Sequence, residues 1–121
     1  MQKNVLGGDL CSCCDELSTG YYRNGRCETN EHDIGMHTVC ANVTKDFLEY
    51  SKSKGNDLVT PYPDAEFPGL KPGDKWCLCV QRWIEALEDD KAPYIYLQAT
   101  HSSVLEHVEL EVLAKYALDK N

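Results

Sequence analysis

Seven cysteines and four histidines carry most of the chemistry open to this sequence. Cys11-Ser12-Cys13-Cys14 contains a Cys-x-x-Cys pair, Cys11 and Cys14, the spacing from which a turn chelates zinc or presents a dithiol. A strong zinc reading asks for a second such pair, and the sequence has none. Cys77 and Cys79 stand two apart. On a helix their side chains diverge by about 200° and could not share an ion, whereas on a strand they would point the same way. Trp76, Cys79, Val80, Trp83, Ile84 and Leu87 recur at the three-and-four spacing of a core-facing helix stripe. That pattern predicts a helix capped by Asp74 and running to about Asp90. Cys79 would then be core. Cys77 would sit in the first turn, where the helix dipole lowers a thiol pKa, making it the candidate nucleophile.

A metal set of three or four ligands can be drawn from Cys13, Cys27, Cys40 and Cys77, with His37 as a further donor. Zinc is the ion those donors suit. In a strand, His37 and Cys40 face opposite ways, so only one of them joins a given site. Against all of this stands a plainer reading, because an unbridged cysteine is among the most buried residue types and packs as a small hydrophobe. His101 follows a strand-like run at the mouth of a short helix, and Asp57 with Asn56 opens a proline-rich segment. Both are candidates for catalysis alongside Cys77. Both also have ordinary roles, as a capping histidine and as a carboxylate satisfying turn N–H groups. Arg82 would pair Asp57 or another carboxylate, or hold an anionic ligand. No phosphate-binding loop, dinucleotide glycine motif, Gly-x-Ser-x-Gly or His-Glu-x-x-His occurs, so no nucleotide cofactor is expected.

The chain of 121 residues carries a net charge of −8, with its 12 lysines and arginines scattered. Phosphate neutralisation needs a basic stripe, so nucleic-acid and anionic-membrane partners are disfavoured. Met1–Gly8 holds no apolar stretch of signal-peptide length, which predicts a cytoplasmic protein. In that compartment an odd number of cysteines reads as free thiols, metal ligands or a redox centre rather than a disulfide framework. Glu85, Glu88, Asp89, Asp90, Glu106, Glu109 and Glu111 read as a solvated face.

The elements that must position these residues suggest one domain over 1–121, with no repeat or linker. Residues 1–43 read as irregular and β-rich. Asn24-Gly25 is placed to turn a hairpin between Tyr21 and Cys27, and His37–Val43 reads as a strand. Residues 44–55 read as a helix, with Thr44 as N-cap and Gly55 just past its end. Residues 56–73 hold four prolines and read as an ordered loop. Residues 74–121 read as a helix-strand-helix core, with Tyr94–Ala99 as the best strand, a short helix over Val104 and Leu105, and a last helix through Leu110, Leu113, Ala114 and Ala117. The predicted class is α+β: a small, largely antiparallel sheet packed by three to four helices, with an irregular cysteine-rich N-terminal third.

Several landmarks together resemble the bacterial domain of unknown function 2237 family. They are Gly55-Asn56-Asp57-Leu58 with Thr60-Pro61, Phe67-Pro68-Gly69-Leu70-Lys71-Pro72-Gly73-Asp74, Trp76-Cys77-Leu78-Cys79 and Arg82-Trp83. Asn4-Val5-Leu6-Gly7, Thr19-Gly20 with Arg23, His37-Thr38-Val39-Cys40 and Ala99-Thr100-His101 fit as well. The resemblance spans nearly the whole chain. It implies that Cys13, Cys27, Cys40, Cys77 and Cys79 occupy cysteine positions of the family and that Cys11 and Cys14 do not. It implies no activity.

Three functional readings follow. The first is a non-enzymatic or accessory cytosolic domain packed around its thiols, with a structural zinc. The second is a thiol enzyme or redox protein using Cys77 with His37, His101 or Asp57, acting on an unidentified small ligand. The third is a protein-interaction module built on the loop 60–72 with Tyr62 and Phe67 exposed.

Overall fold

The structure is a computed structural model that describes residues 2–14, 19–65 and 67–119. In chain order it contains strand β1 (His37–Asn42), helix α1 (Lys45–Ser53), strand β2 (Lys75–Cys79), helix α2 (Val80–Glu88), strand β3 (Tyr94–Ile95) and helix α3 (Leu110–Lys115). Short 3-10 turns occupy Pro63–Ala65, Leu97–Ala99 and Ser102–Glu106. The sheet order is β2-β1-β3, both pairings antiparallel, so the class is the predicted α+β.

Two elements depart from the sequence reading. The helix expected over 74–90 is split: residues 75–79 pair with β1 and only Val80–Glu88 is helical. The apolar run Trp76-Cys77-Leu78 suits either period, and an available partner decides between them. Gly73 N–H bonds the Val43 carbonyl, and Val43 N–H bonds the Asp74 carbonyl. The chain is thereby delivered alongside β1 before a helix can begin. The Tyr94–Ala99 strand is cut to two residues because Leu97–Ala99 coils into a 3-10 turn. Asp119 secures that turn by accepting from the N–H groups of Leu97 and Gln98 at 2.7 and 3.0 Å. The hairpin at Asn24-Gly25 is likewise a turn without strands among the described residues. Gly25 is nonetheless required there: it has φ +84°, and a Cβ would lie 2.2 Å from the Cys14 carbonyl oxygen.

The alternation of β1 and β2 sorts the interior into two layers. Val39, Ala41 and Leu78 join an apolar core with Phe47, Val80, Trp83, Ile95 and Leu113, beneath α1, α2 and α3. Trp83 is fully buried and its indole N–H reaches the Pro93 carbonyl. Cys40 and Cys77, opposite one another in the ladder, face the other way, into a small cluster with Cys13, Cys27 and Ala99. The N-terminal segment covers that face. Val5 N–H bonds the Thr100 carbonyl, Ser102 N–H the Lys3 carbonyl, and Cys11 N–H the Gln98 carbonyl. No helix among the described residues is long and apolar enough to cross a membrane.

Candidate functional site

Four of the seven cysteines converge on the second layer. Cys13 is bonded to Cys40 and Cys27 to Cys77, ties that close 27 and 50 residues of chain. The odd count is resolved by Cys11, Cys14 and Cys79, which are not bridged. The expectation of free thiols or metal ligands alone is therefore corrected: this framework contains disulfides. The Sγ atoms of Cys13, Cys27 and Cys77 lie within 4.8 Å of one another, and all three residues are buried. Such a triad is compatible with metal coordination.

Local structure explains the convergence. The N–H groups of Cys13 and Cys14 both donate to the Gly25 carbonyl, at 2.7 and 3.0 Å, which sets Cys13 beside the 25–27 turn. Cys77 N–H donates to the Thr19 hydroxyl at 2.7 Å, and Cys40 N–H to the Thr100 hydroxyl at 3.1 Å. Both threonines are fully buried, so each sheet N–H that lacks a strand partner at the cluster is still satisfied. Gly20 also abuts the cluster: a Cβ there would stand 3.7 Å from the Cys77 sulfur and 2.2 Å from the Arg26 carbonyl oxygen.

Cys77 joins the cluster in a different role from the one expected, and the candidates other than the four clustered cysteines lie outside it. Cys77, expected as the reactive thiol in a first helical turn, is mid-strand, bridged and fully buried. Cys79, expected in the core, is partly exposed at the N-cap of α2. Cys11 is exposed beside the Asp9 carbonyl and the Gln98 side chain, and Cys14 is partly buried. His101 caps the 3-10 turn that follows it, its Nδ1 accepting the Ser103 N–H at 3.0 Å. Burial holds its pKa below the usual histidine value against the opposing charges of Glu28 and Glu106. Asp57 accepts from the N–H groups of Val59 and Thr60 and from the Thr60 hydroxyl, and those bonds lower its pKa. Arg82 pairs with Glu85 at 3.3 Å and with the Lys54 carbonyl rather than with Asp57. In the proline-rich loop Tyr62 is exposed, but Phe67 is buried edge-on against Trp76.

His37 departs furthest from its expected role. Its Nδ1 lies 2.8 Å from Asp33, whose side chain is only 1% exposed. Asp33 also accepts from the His37 backbone N–H and the Thr29 hydroxyl. Burial alone would raise the Asp33 pKa, but the bonds from the His37 ring, the His37 backbone and Thr29 outweigh it and hold the carboxyl below its usual range. A carboxylate only accepts, so Nδ1 carries the proton of that bond and Nε2 is the ring nitrogen not engaged by Asp33. Sequence reasoning missed Asp33. The signal available was its i, i+4 spacing from His37, which has meaning only once the 33–36 turn is known.

His37 and Cys79 line a cleft of ≈ 520 Å³ along the outer edge of β2, together with Arg23, Asn56, Trp76 and Arg82. With the fold and both sites described, the chain is placed as a small α+β, cysteine-rich domain. It belongs to the family described as an uncharacterized protein conserved in bacteria (DUF2237), which it matches over residues 3–117. No match is found among curated proteins.

Proposed function

We propose that this is an accessory, non-enzymatic domain whose cysteine-rich half is fastened by its four-sulfur cluster, and that the reduced cluster holds one structural zinc ion. The observation that supports it is the meeting of three buried sulfurs within 4.8 Å, with Cys40 joined to one of them. Zinc bound to thiolates at about 2.3 Å sets its sulfurs about 3.8 Å apart, within the 4.8 Å span of Cys13, Cys27 and Cys77, and Cys40, released from Cys13 by reduction, is the fourth donor. The donors come from four separate segments, and Cys13, Cys27, Cys40 and Cys77 are between 0% and 3% exposed. Four thiolates closed off from solvent describe a structural site rather than a catalytic one, which keeps a position for water. His37 stands outside the set: it lines the cleft and is not part of the sulfur cluster.

The test is elemental analysis of protein purified under a dithiol reductant. The reductant supplies four electrons and four protons to the two disulfides, and the resulting thiols release their protons as zinc binds. The expected result is one zinc per folded chain, lost in Cys27→Ser and retained in Cys11→Ser. Folded, fully reduced protein that carries no zinc overturns the reading.

A further inference from the structure

The cleft beside β2 differs electrostatically from the rest of the chain. Arg23 and Arg82 line it and no aspartate or glutamate does, although Arg82 is paired to Glu85 at 3.3 Å and the protein carries a net charge of −8. Cationic side chains in a concavity favour an anionic ligand. Arg23 is held over the Trp76 ring at 5.7 Å and has φ 58°, a left-handed conformation uncommon for a side chain of its size. Arg82 uses only Nη1 for its two protein contacts, leaving Nε and Nη2 for a ligand. The Asn56 side-chain amide, also on the lining, has no hydrogen-bond partner among the described residues.

The same wall carries a thiol and an imidazole. His37 is the ladder partner of Cys79, brought there by a register shift between His37 and Val39. Residues directly opposite in an antiparallel ladder present their side chains together, and a bulge re-aims one of them. Cys79 is unbridged and makes no side-chain cap bond to α2. His37 and Cys79 are not hydrogen-bonded to one another here. A base can serve through one water, and such contacts tighten when a ligand closes the site.

We propose that this cleft binds a small carboxylate- or phosphate-bearing electrophile with an unsaturated reactive carbon, its anion on Arg82 and Arg23: the Cys79 S–C bond forms as the carbon's π bond opens, and the thiol proton passes by way of His37 Nε2 to the atom that takes the π electron pair. Asp33 positions the imidazole. The inference is independent of the zinc reading, because the two sites share no side-chain donor.

Alkylation of the full oxidised chain tests it, with both disulfides intact and each thiol followed by peptide mass spectrometry. Iodoacetate and iodoacetamide carry the same leaving group and differ in charge. In either reaction the S–C bond forms, the C–I bond breaks, iodide departs and the thiol proton goes to the base. Exposed Cys11 serves as the internal reference. The expected result is an iodoacetate-to-iodoacetamide rate ratio about tenfold higher at Cys79 than at Cys11, the size of a modest local charge attraction. Arg82→Gln, at a partly exposed position, brings the ratio down to that of Cys11. Protection of Cys79 by inorganic phosphate assigns the phosphate class, and an elevated ratio without protection assigns the carboxylate. The positioning role has its own readout. His37→Gln and Asp33→Asn each slow iodoacetamide at Cys79 near pH 7 but leave the rate unchanged near pH 10, where hydroxide replaces the imidazole as the base. Equal ratios at Cys79 and Cys11 in the native chain overturn the proposal.

Discussion

Cys77 and Cys79 stand two residues apart on one strand, yet they belong to different kinds of environment. Cys77 is sealed into a layer of sulfur, with its N–H on Thr19 and its side chain bonded to Cys27. Cys79 lies where the strand ends and α2 begins, beside two arginines and a histidine. The ladder treats both alike, and what separates them is the covering. The N-terminal segment and the 25–27 turn close over Cys77. The cleft along the edge of β2 is lined by both residues, but Cys77 is a buried structural tie and only Cys79 keeps an unbridged, partly exposed thiol.

The sharpest way to break that comparison is to remove each sulfur in turn. Opening the 50-residue tie with Cys27→Ser is expected to cost about 4 kcal/mol, and opening the 27-residue tie with Cys40→Ser about 3.5 kcal/mol. Cys79→Ser is expected to stay within about 0.5 kcal/mol of the parent. Denaturant unfolding of the three oxidised variants measures this. A Cys79→Ser loss as large as that of Cys27→Ser would place Cys79 in the structural class and erase the distinction.

The sequence showed part of this and concealed the rest for identifiable reasons. β1 and α1 were legible because β-branched alternation and a Thr44 cap are local signals, and the structure keeps both, with the Thr44 hydroxyl accepting from Phe47 N–H at 3.1 Å. The set Cys13, Cys27, Cys40 and Cys77 was legible as thiols to be tested together, but not as two specific pairs, since pairing depends on which segments meet in space. The β2–α2 junction was hidden because Trp76, Cys79 and Val80 satisfy a helical stripe by coincidence. That error put Cys77 and Cys79 in each other's roles: the first was read as reactive and the second as core. Asp33 and the arginine-lined cleft depend on long-range packing that no local window contains.

Asp33 gives an intermediate effect, and one that depends on pH. Its folded pKa lies below the ordinary carboxylate value, through the balance of burial against the bonds from His37 and Thr29. The unfolded chain therefore takes up this proton first as the solution is acidified. The stability that Asp33 contributes is fully present above about pH 4 and is lost as pH falls through the depressed folded value. Asp33→Asn is expected to cost about 1.5–3 kcal/mol at neutral pH, the range for hydrogen bonds to a charged group. The gap between parent and variant should narrow steadily below pH 4 in equilibrium unfolding. A gap of constant size from neutral to acid pH would show that the carboxylate charge is not what holds His37.

Gly35→Ala tests the histidine apart from the disulfide framework. A Cβ on Gly35 would stand 2.6 Å from His37 Cε1 and 3.1 Å from Nε2. The obstructing atoms belong to the far end of a side chain that is 45% exposed, so the imidazole can swing out while the backbone stays in place. The displaced ring gives up its bond to the buried Asp33 carboxylate, so the expected cost is about 1.5–3 kcal/mol, with both disulfides forming as in the parent. The displaced ring leaves Cys79 without its base, so alkylation of Cys79 near pH 7 should fall to the rate at Cys11. The iodoacetate preference should persist, because Arg23 and Arg82 are untouched. If reactivity is retained with His37 pushed aside, the imidazole is no part of the thiol's chemistry and the arginines alone distinguish Cys79 from Cys77.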